Sequence, residues 1–379
     1  MKKRSIVSII VLVLLILAAL ATYIYLNRKN PVSQAPAPVH YVSEIIGDNS
    51  MPEHRMIAGY NVRNASSGVF VLGTRERCSM LCDALVDSDA YDNVDGSAKP
   101  DGLKDFAGES ICSVTNFGGF ELPEPVADAA MRDLTVRNAV IAMDTLCFVS
   151  PYDRSGMGKK PLAKMLILAS PEMVLNGRYD VDSLFHALGC AMPVISPAEL
   201  MLNAAFEGAV PGKHFTVGVL CSPESASGAA YKALISSKAA SAGIDSVACI
   251  SFAAEPGTDA LKAFLDSYSA QAPSVPIDVL LIDDITQNLP ELEESLSHIT
   301  SVMNAESMTY GNLIAKSFRI LDPRPMVCEA VYSYLRNSNL FTHFISQPKR
   351  FEYMLLPKEG SEHSLILLPY NERYVPEES

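Results

Sequence analysis

Five carboxylates lie close together in one glycine-containing segment, residues 91–109, whose sequence is YDNVDGSAKPDGLKDFAGE. Carboxylate oxygens in a turn-rich loop can bind Ca²⁺ or contact a cationic or hydroxyl-rich ligand. Their spacing does not match an EF-hand, which needs ligands at alternating positions and a closing glutamate, so we predict no metal site. Asp and Gly are also common in ordinary surface turns, and that alternative stays open. Because long irregular loops often bind ligands, we predict such a role for Asp101, Asp105 and Glu109.

A second loop, residues 150–159 with the sequence SPYDRSGMGK, follows a predicted strand that ends near Cys147. Tyr152 offers an aromatic face, and Arg154 offers a guanidinium group that could bind a carboxylate. The Gly-x-Gly-Lys sequence lacks the spacing of a Walker A motif, and no Ser or Thr follows the lysine, so nucleotide hydrolysis is disfavoured. The competing interpretation is a surface loop that has no ligand. We expect Tyr152 and Arg154 to line a ligand-binding cleft.

Serines cluster in residues 222–228, SPESASG, where another predicted strand ends and a helix begins. Hydroxyls and backbone N–H groups at such a position face the crevice at the carboxyl edge of a sheet and stabilise an anionic group. Capping of the helix by Ser222 or Ser225 is the plain alternative. A later predicted strand ends at Asp283. We predict that Ser222, Ser225 and Ser227 contact an anionic ligand and that Asp283 also borders it.

The sequence contains no recognisable catalytic motif. None of its seven histidines lies in a G-x-S-x-G or H-E-x-x-H setting, and no pair of cysteines carries the motifs expected of a racemase of related fold. Most of the eight cysteines stand inside apolar runs, which predicts buried thiols. Cys78 and Cys82 lack a second Cys/His pair with the spacing of a zinc site. We therefore predict no catalytic residue and no cofactor.

An uncharged apolar run extends from Ser5 to Leu26 and is long enough to cross a hydrocarbon core of about 30 Å as a helix. Three basic residues precede the run and outnumber the two that follow it. The positive-inside rule then places the rest of the chain outside the cytoplasm. The small residues Ala19 and Ala21 would fit a cleaved secretory signal, but the apolar run continues past them. We predict a single-pass anchor in the cytoplasmic membrane, with the body on its periplasmic or extracellular side.

Charge and composition limit the classes of partner. The formal net charge is −13, and the basic residues are scattered along the chain. A nucleic-acid-binding protein needs a basic patch or stripe, so this class is excluded. The expected partners are the lipid bilayer, through residues 5–26, and a small molecule. Any protein partner stays unknown.

Downstream of the anchor, three prolines within residues 30–42 predict an extended spacer, and we expect the folded body to begin near Met56. From there, apolar runs rich in β-branched residues alternate with helical patterns. This alternation is typical of an α/β fold with a largely parallel sheet. The predicted strands are residues 69–72, 110–114, 139–142, 165–169, 215–221, 246–251 and 279–282.

The clearest β-α repeat lies between Phe215 and Asp284. It contains the strand end VGVLCS at 217–222, the helix end AASAGI at 239–244 and the strand DVLLID at 278–283. These segments resemble the second lobe of type 1 periplasmic-binding-protein-like domains, the family of ABC-transporter substrate-binding proteins. The resemblance implies two doubly wound α/β lobes, mainly with parallel sheets, joined by a hinge and holding a ligand in the cleft between them.

The resemblance sets the expected organisation and the leading functional hypothesis. We expect an anchor (1–29), a spacer (30–55), a first lobe (56–209), a second lobe (210–316) and a crossover segment that returns to the first lobe (317–379). With export, this organisation predicts an anchored, extracytoplasmic binding protein for a small polar or anionic ligand. The rival hypothesis is an envelope hydrolase or isomerase that uses acidic residues 92–109, with or without a divalent metal. A third hypothesis is a scaffold in an envelope complex.

Overall fold

The computed structural model describes residues 36–379 except 65–67, 117–127, 154–155, 223–226, 256, 302–304, 343–345, 358–364 and 371–379. The strands are β1 (Gly68–Gly73), β2 (Ser110–Asn116), β3 (Leu146–Phe148), β4 (Met157–Lys159), β5 (Ala163–Leu168), β6 (Val194–Ile195), β7 (Phe215–Cys221), β8 (Val247–Ala253), β9 (Ile277–Ile282), β10 (Ile314–Leu321), β11 (Lys349–Pro357) and β12 (Leu365–Pro369). The helices are α1 (His40–Gly47), α2 (Pro52–Ala58), α3 (Arg75–Asp87), α4 (Asp128–Met143), α5 (Pro171–Ala187), α6 (Pro197–Phe206), α7 (Ser227–Ser241), α8 (Ala260–Ser269), α9 (Leu289–Thr300), α10 (Ala305–Tyr310) and α11 (Pro323–Asn337).

The first lobe is built on a six-stranded sheet with the strand order β12-β11-β2-β1-β5-β6. Neighbouring strands are parallel, except that β12 is antiparallel to β11. Every residue of β1 and β5 is buried. Phe70 and Leu72 pack into one hydrophobic cluster, whereas Val69 and Val71 pack into another. Because alternate residues of a strand point to opposite faces, helices must cover this sheet on both sides.

The second lobe is built on a four-stranded sheet with the order β10-β9-β7-β8, in which all pairs are parallel. Val217 and Val219 of β7 pack into one cluster and Leu220 into another, so this sheet is also covered on both faces. The chain then returns, because β11 and β12 join the first sheet. The predicted α/β class with two parallel-sheet lobes is confirmed.

Two local predictions differ from the structure. The predicted strand 139–142 lies inside α4, and its residues are mostly buried there. A short apolar run has the same composition in a buried strand and on the buried side of a helix, so composition alone misassigned it. The body also begins before Met56, because Val42 and Ile45 of α1 and Ile57 of α2 are fully buried in the first lobe.

In the ranges that the structure covers, no helix combines the length and apolar character needed to span a membrane. The segment predicted to do so, residues 5–26, lies outside the described residues.

Helices α4 and α5 approach each other closely at Gly177. A Cβ atom at this position would lie well inside 3.0 Å of the Thr135 side chain. A Gly177→Ala variant gains about 1 kcal/mol of helix propensity but suffers overpacking of about 1–3 kcal/mol. Because the contact with Thr135 is so short, we expect an overpacking cost of about 2–3 kcal/mol and a net loss of unfolding free energy of about 1–2 kcal/mol, measured by urea denaturation. Gly47, which has open space at its Cβ position, is the control, and Gly47→Ala should lose no stability. Equal stability of the two variants would contradict the prediction.

Candidate functional site

The carboxyl ends of the two sheets meet at a buried ion pair. Arg77 lies in the first turn of α3, directly after β1, and Asp283 directly follows β9. The Arg77 Nη1 and Nη2 atoms donate to the Asp283 Oδ1 and Oδ2 atoms at 2.5 and 2.6 Å. Arg77 is 8% exposed and Asp283 is 5% exposed. A bidentate, nearly buried pair therefore joins the first lobe to the second at the edge where parallel α/β sheets bind ligands.

Two more polar side chains adjoin this pair. Tyr231 of α7 is 1% exposed and interacts electrostatically with Asp283, while Glu172, in the first turn of α5, interacts electrostatically with Arg77. Burial acts to lower the pKa of Arg77, but the hydrogen bonds and charge of Asp283 outweigh it and raise that pKa. Burial and then the charge of Asp283 raise the pKa of Tyr231, so the phenol stays protonated at neutral pH. We call Arg77, Glu172, Tyr231 and Asp283 the junction cluster.

Asp284, next to the junction cluster, accepts hydrogen bonds from residues that follow β7 and β9. It is 2% exposed, and its Oδ1 atom accepts from the Thr286 N–H and the Thr286 hydroxyl at 2.9 Å each. The same oxygen accepts from the Ser222 hydroxyl, which follows β7, at 3.3 Å. The backbone N–H groups of Asp283 and Asp284 both donate to Leu220 O at 2.8 Å. These bonds fix the backbone that presents Asp283 to Arg77.

The carboxylates of Asp101 and Asp105 in the acidic loop accept hydrogen bonds from groups in the loop or just before it. Asp105 is buried and accepts from the Ser88 hydroxyl at 2.5 Å and from the N–H groups of Ala90 and Tyr91 at 2.9 and 3.0 Å. Asp101 accepts from two further N–H groups of the same loop. Within the loop, these carboxylate oxygens therefore serve to hold turns together.

Glu109 lies at the opposite edge of the first sheet from the junction cluster. It immediately precedes β2, so it stands at the amino end of a parallel strand, whereas Arg77 follows the carboxyl end of β1. Its Oε1 atom accepts from the Thr342 N–H at 2.7 Å. Its Oε2 atom lies 2.8 Å from Lys164 Nζ without the angle of a hydrogen bond, so this contact is an ion pair. The structure therefore does not bring the acidic loop to the lobe junction.

The other predicted site residues do not all lie at the lobe junction. Ser222 and Asp283 belong to the lobe junction described above. Tyr152 is 64% exposed, and its N–H donates to Ser150 Oγ at 3.2 Å. Arg154 and Ser225 lie outside the described residues, and for Ser227, at the start of α7, only the backbone is described. The ligand-binding roles assigned from sequence to all nine residues stay predictions.

Sequence reasoning missed three members of the junction cluster. Arg77 lies in the segment TRER directly after the fully buried β1, and Glu172 lies in the segment SPE directly after β5. Charged residues immediately after a buried strand were a usable signal, because they must lie at the carboxyl edge of the sheet. Tyr231 had no such signal, since one tyrosine in an otherwise ordinary helix does not predict a polar contact.

The described part of the chain gives little support for a metal site or a reactive thiol. No group of three or more His, Cys, Asp or Glu side chains there has a geometry that could hold a metal ion. Seven of the eight cysteines are buried, and Cys249 is intermediate in exposure. Burial raises the pKa of Cys78 well above its usual value and that of Cys82 to about 12, so these two thiols are not thiolates at neutral pH.

A buried lysine in the first lobe should make the free energy of unfolding of the protein depend on pH. Lys160 is 6% exposed, donates to Ala142 O at 2.6 Å and lies over the Phe70 ring. Burial lowers its pKa from 10.5 to about 8. The unfolded chain therefore binds more protons between these two pH values, so the free energy of unfolding should rise as the pH rises from about 8 to about 10.5.

Substitution of Lys160 tests whether burial of its charge destabilises the fold. Lys160→Met removes the cost of burying the charge and should raise the free energy of unfolding at pH 7 by about 1–3 kcal/mol. The gain should shrink as the pH rises toward 10.5. Urea denaturation at several pH values measures it. The matched control is Lys159→Met, at an exposed neighbouring position, which should change stability little at any of these pH values. A variant that is less stable than wild type at pH 7 would contradict the prediction.

Comparison with known proteins gives structural similarity only. No protein-family model matches the chain, and no curated protein sequence matches it. Similar solved structures include the glutamate racemase isoform RacE1 from Bacillus anthracis, with a TM-score of 0.48 and 12% identity, covering 78% of this chain and 90% of that one. A glutamate racemase from Francisella tularensis subsp. tularensis SCHU S4 in complex with D-glutamate has a TM-score of 0.44, 14% identity and coverages of 78% and 90%. A glutamate racemase from Campylobacter jejuni subsp. jejuni has a TM-score of 0.39, 13% identity and coverages of 76% and 92%.

These comparisons correct the resemblance drawn from the sequence. The similar structures named above are glutamate racemases and not periplasmic-binding-protein-like domains, so that family assignment was wrong. The substrate-binding-protein function that depended on it was wrong as well. At identities of 12–14% and TM-scores below 0.5, the reaction has to be argued from the residues of this chain alone.

Proposed function

We propose that the body is an enzyme of the isomerase type, which moves a proton on a small carboxylic acid at the junction cluster. One observation carries the proposal: Arg77 and Asp283, which come from different lobes, meet in a nearly buried pair at the carboxyl edges of both sheets. Ligands bind at this edge in open α/β sheets. Buried, hydrogen-bonded charges at such a place are typical of active sites.

Arg77 is the group suited to bind the substrate carboxylate. A guanidinium presents a planar fork of donors that matches two carboxylate oxygens, and Asp283 occupies this fork with two hydrogen bonds. A substrate carboxylate would take the same two positions and displace Asp283 from the fork. The displaced Asp283, beside Tyr231, would then face the substrate as a free base.

Two carboxylates from opposite lobes then serve the two faces of the substrate. Asp283, from the second lobe, would accept the proton from C2, and the electron pair of the broken C–H bond would form an enolate that Arg77 stabilises. Glu172, from the first lobe, would first take up a proton from solvent and would then donate that proton to the opposite face, forming the new C–H bond. The product is the stereoisomer of the substrate, and the step needs no oxidant or reductant. Exchange with solvent returns both carboxyl groups to their starting protonation.

Deuterium exchange tests this reaction class without knowledge of the natural substrate. The full-length chain is incubated in D₂O with 2-amino and 2-hydroxy acids, including both enantiomers of glutamate, and deuterium at C2 is followed by NMR. We expect exchange with at least one acid, reduced about 10²-fold or more in Asp283→Asn and in Glu172→Gln. Asp180→Asn removes the negative charge of the Arg132–Asp180 pair elsewhere in the first lobe and should keep the exchange. No exchange with any acid, or exchange that survives in both junction variants, would contradict the proposal.

A second candidate function is a rigid scaffold, and the closed geometry of the ion pair favours it. Arg77 and Asp283 make two hydrogen bonds to each other, so the junction can act as a clamp that holds the two lobes in one arrangement. A clamp predicts no proton exchange in any acid but a large loss of stability when the pair is broken. The exchange assay therefore separates the two candidates.

We also propose that residues 5–26 anchor the chain in the cytoplasmic membrane with the body outside the cytoplasm. The support is the uncharged apolar run and the excess of basic residues before it. Alkaline phosphatase fused after residue 379 should be active in cells and should sediment with membranes. Replacing Leu14 and Leu15 by arginine should release the fusion from the membrane fraction. An inactive fusion, or one that stays soluble with the native segment, would contradict the anchor.

A further inference from the structure

Strand β8 lies at one edge of the second sheet and presents unpaired backbone groups there. It pairs with β7 along its whole length, and no other described strand pairs with it. Because the Phe215 N–H donates to Ser246 O in this register, the N–H and C=O groups of the even-numbered residues of β8 bond to β7. The backbone groups that point away from the sheet are those of the odd-numbered residues, Val247, Cys249, Ser251 and Ala253.

The other three edges of the two main sheets carry features that block pairing with a further strand. β6 has only two residues and lies between Pro193 and Pro197. β10 carries Lys316 and Arg319, and its pairing with β9 has a register shift. β12 has five residues and ends at Pro369. Short strands, charges, prolines and bulges are the usual means by which proteins protect an exposed edge.

β8 has none of these protective features. Its sequence, VACISFA, runs for seven residues without a charge or a proline, and its pairing with β7 has no register shift. None of the seven residues is buried. A long, uncharged, mostly apolar edge is a template for another strand. The contrast with the other edges therefore indicates that β8 has a partner strand.

A second copy of the chain can supply this strand. Every described strand already has a place in one of the sheets, and none lies beside the outer edge of β8. Two β8 strands related by a two-fold axis perpendicular to the sheet run antiparallel, and this association closes with two copies. Because β8 carries no charge, no like charges meet within such a ladder.

The charges that flank β8 favour one register over its neighbour. An axis at Ile250 would place Asp245 opposite Glu255 of the second copy, and like charges directly opposite each other are unfavourable. An axis one residue earlier places Asp245 opposite Ala253 instead. On the other face of the strand it places the large Ile250 side chain opposite the small side chain of Ala248, so the two strands fit each other.

We propose that the chain forms a two-fold dimer in which two β8 strands pair antiparallel about Cys249 and join two four-stranded sheets into one. Val247, Cys249 and Ser251 exchange N–H···O bonds with the second copy. The dimer does not depend on the isomerase reaction, because no member of the junction cluster lies on β8.

One charge lies near this axis. Lys232, exposed on α7, is close enough to Cys249 to interact with it electrostatically. The Lys232 side chains of the two copies therefore repel each other across the axis, and added salt screens repulsion between exposed charges. Dimerisation should strengthen as the salt concentration rises, and Lys232→Gln should dimerise at least as tightly as wild type.

The mass of the full-length chain in detergent micelles tests the dimer. Light scattering during size-exclusion chromatography should give a protein mass of two chains at high concentration and of one chain after dilution. Ala253→Asp places a like charge opposite Asp245 twice in each dimer and should weaken association about tenfold. Ala253→Lys is the matched control at the same exposed position, since it places opposite charges together, and it should associate at least as tightly as wild type.

Hydrogen exchange shows whether the dimer forms at this edge. In wild type at high concentration the outward N–H of Cys249 should be protected. In Ala253→Asp diluted to the monomer it should exchange rapidly, while the Ile250 N–H, which bonds to β7, stays protected. Mass spectrometry with electron-transfer fragmentation resolves these neighbouring amides.

Three results would overturn the proposal. The first is a wild-type chain that stays monomeric, and protection of the Cys249 N–H in that monomer would show that the chain itself or another protein covers the edge. The second is equal association of wild type and Ala253→Asp. The third is a dimer in which the Cys249 N–H exchanges as fast as in the monomer, since that dimer would be held together elsewhere.

Discussion

Replacing Asp283 by alanine is expected to lower the free energy of unfolding by about 3–5 kcal/mol, whatever the activity of the protein. The reason is that Arg77, which is 8% exposed, would keep its charge in a desolvated place without the two hydrogen bonds that now compensate it. Urea denaturation at pH 7 followed by far-UV circular dichroism measures the loss, since the chain contains no tryptophan for fluorescence.

Two controls show whether the loss comes from removing the Asp283 counter-charge of Arg77. Asp87→Ala removes the partner of Lys104 in an exposed pair 3.6 Å apart and should cost less than about 1 kcal/mol. The double variant Arg77→Met, Asp283→Leu replaces both charges by apolar groups and should recover most of the lost stability. An Asp283→Ala variant no less stable than Asp87→Ala would show that the pair does not hold the lobes together.

A loss of similar size is expected for Glu109→Gln, at the opposite edge of the first sheet. The Glu109 and Lys164 side chains are 0% and 2% exposed, and Lys164 Nζ also donates to Leu340 O at 2.7 Å and to Thr342 Oγ1 at 3.1 Å. Glutamine keeps an oxygen that can accept from the Thr342 N–H but leaves the lysine charge without a counter-charge. We expect the free energy of unfolding to fall by about 3–5 kcal/mol, measured as for Asp283→Ala.

The matched control for Glu109→Gln is a double variant that also replaces Lys164. In Glu109→Gln, Lys164→Met no buried charge remains, so this double variant should be clearly more stable than the single one. The segment 340–342 should become more accessible in the single variant, because both partners of the pair hold it, and hydrogen exchange at the Thr342 N–H reports this opening. Unchanged stability and unchanged exchange at Thr342 would contradict the structural role of Glu109.

The two predictions also bear on the functional hypotheses drawn from the sequence. The enzyme hypothesis placed the chemistry in the acidic loop, but Glu109 lies at the amino edge of the sheet and Asp105 is bonded within the loop. The isomerase now proposed uses the carboxyl edge instead. A destabilised Glu109→Gln with normal exchange activity, beside an inactive Asp283→Asn, would agree with this placement.

The incorrect family resemblance has a physical explanation. The segments VGVLCS, AASAGI and DVLLID specify a buried strand, a helix that ends at a glycine and another buried strand. Gly243 does end α7 with a φ of 71°, in the left-handed region that favours glycine. Any parallel α/β lobe needs these features, so they predict the class of fold correctly but do not distinguish one family from another.

The sequence alone determined the α/β class, six of the twelve described strands and the position of Asp283 at a strand end, because hydrophobic period and turn residues are local properties. Only the tertiary structure decided that Asp283 meets Arg77, 206 residues away along the chain, and that Tyr231 joins them. The same holds for Glu109, whose carboxylate faces Lys164 and Thr342 and not the lobe junction. A residue's type and neighbours in sequence show which bonds it can make, but its partner depends on how distant strands are ordered in the sheet.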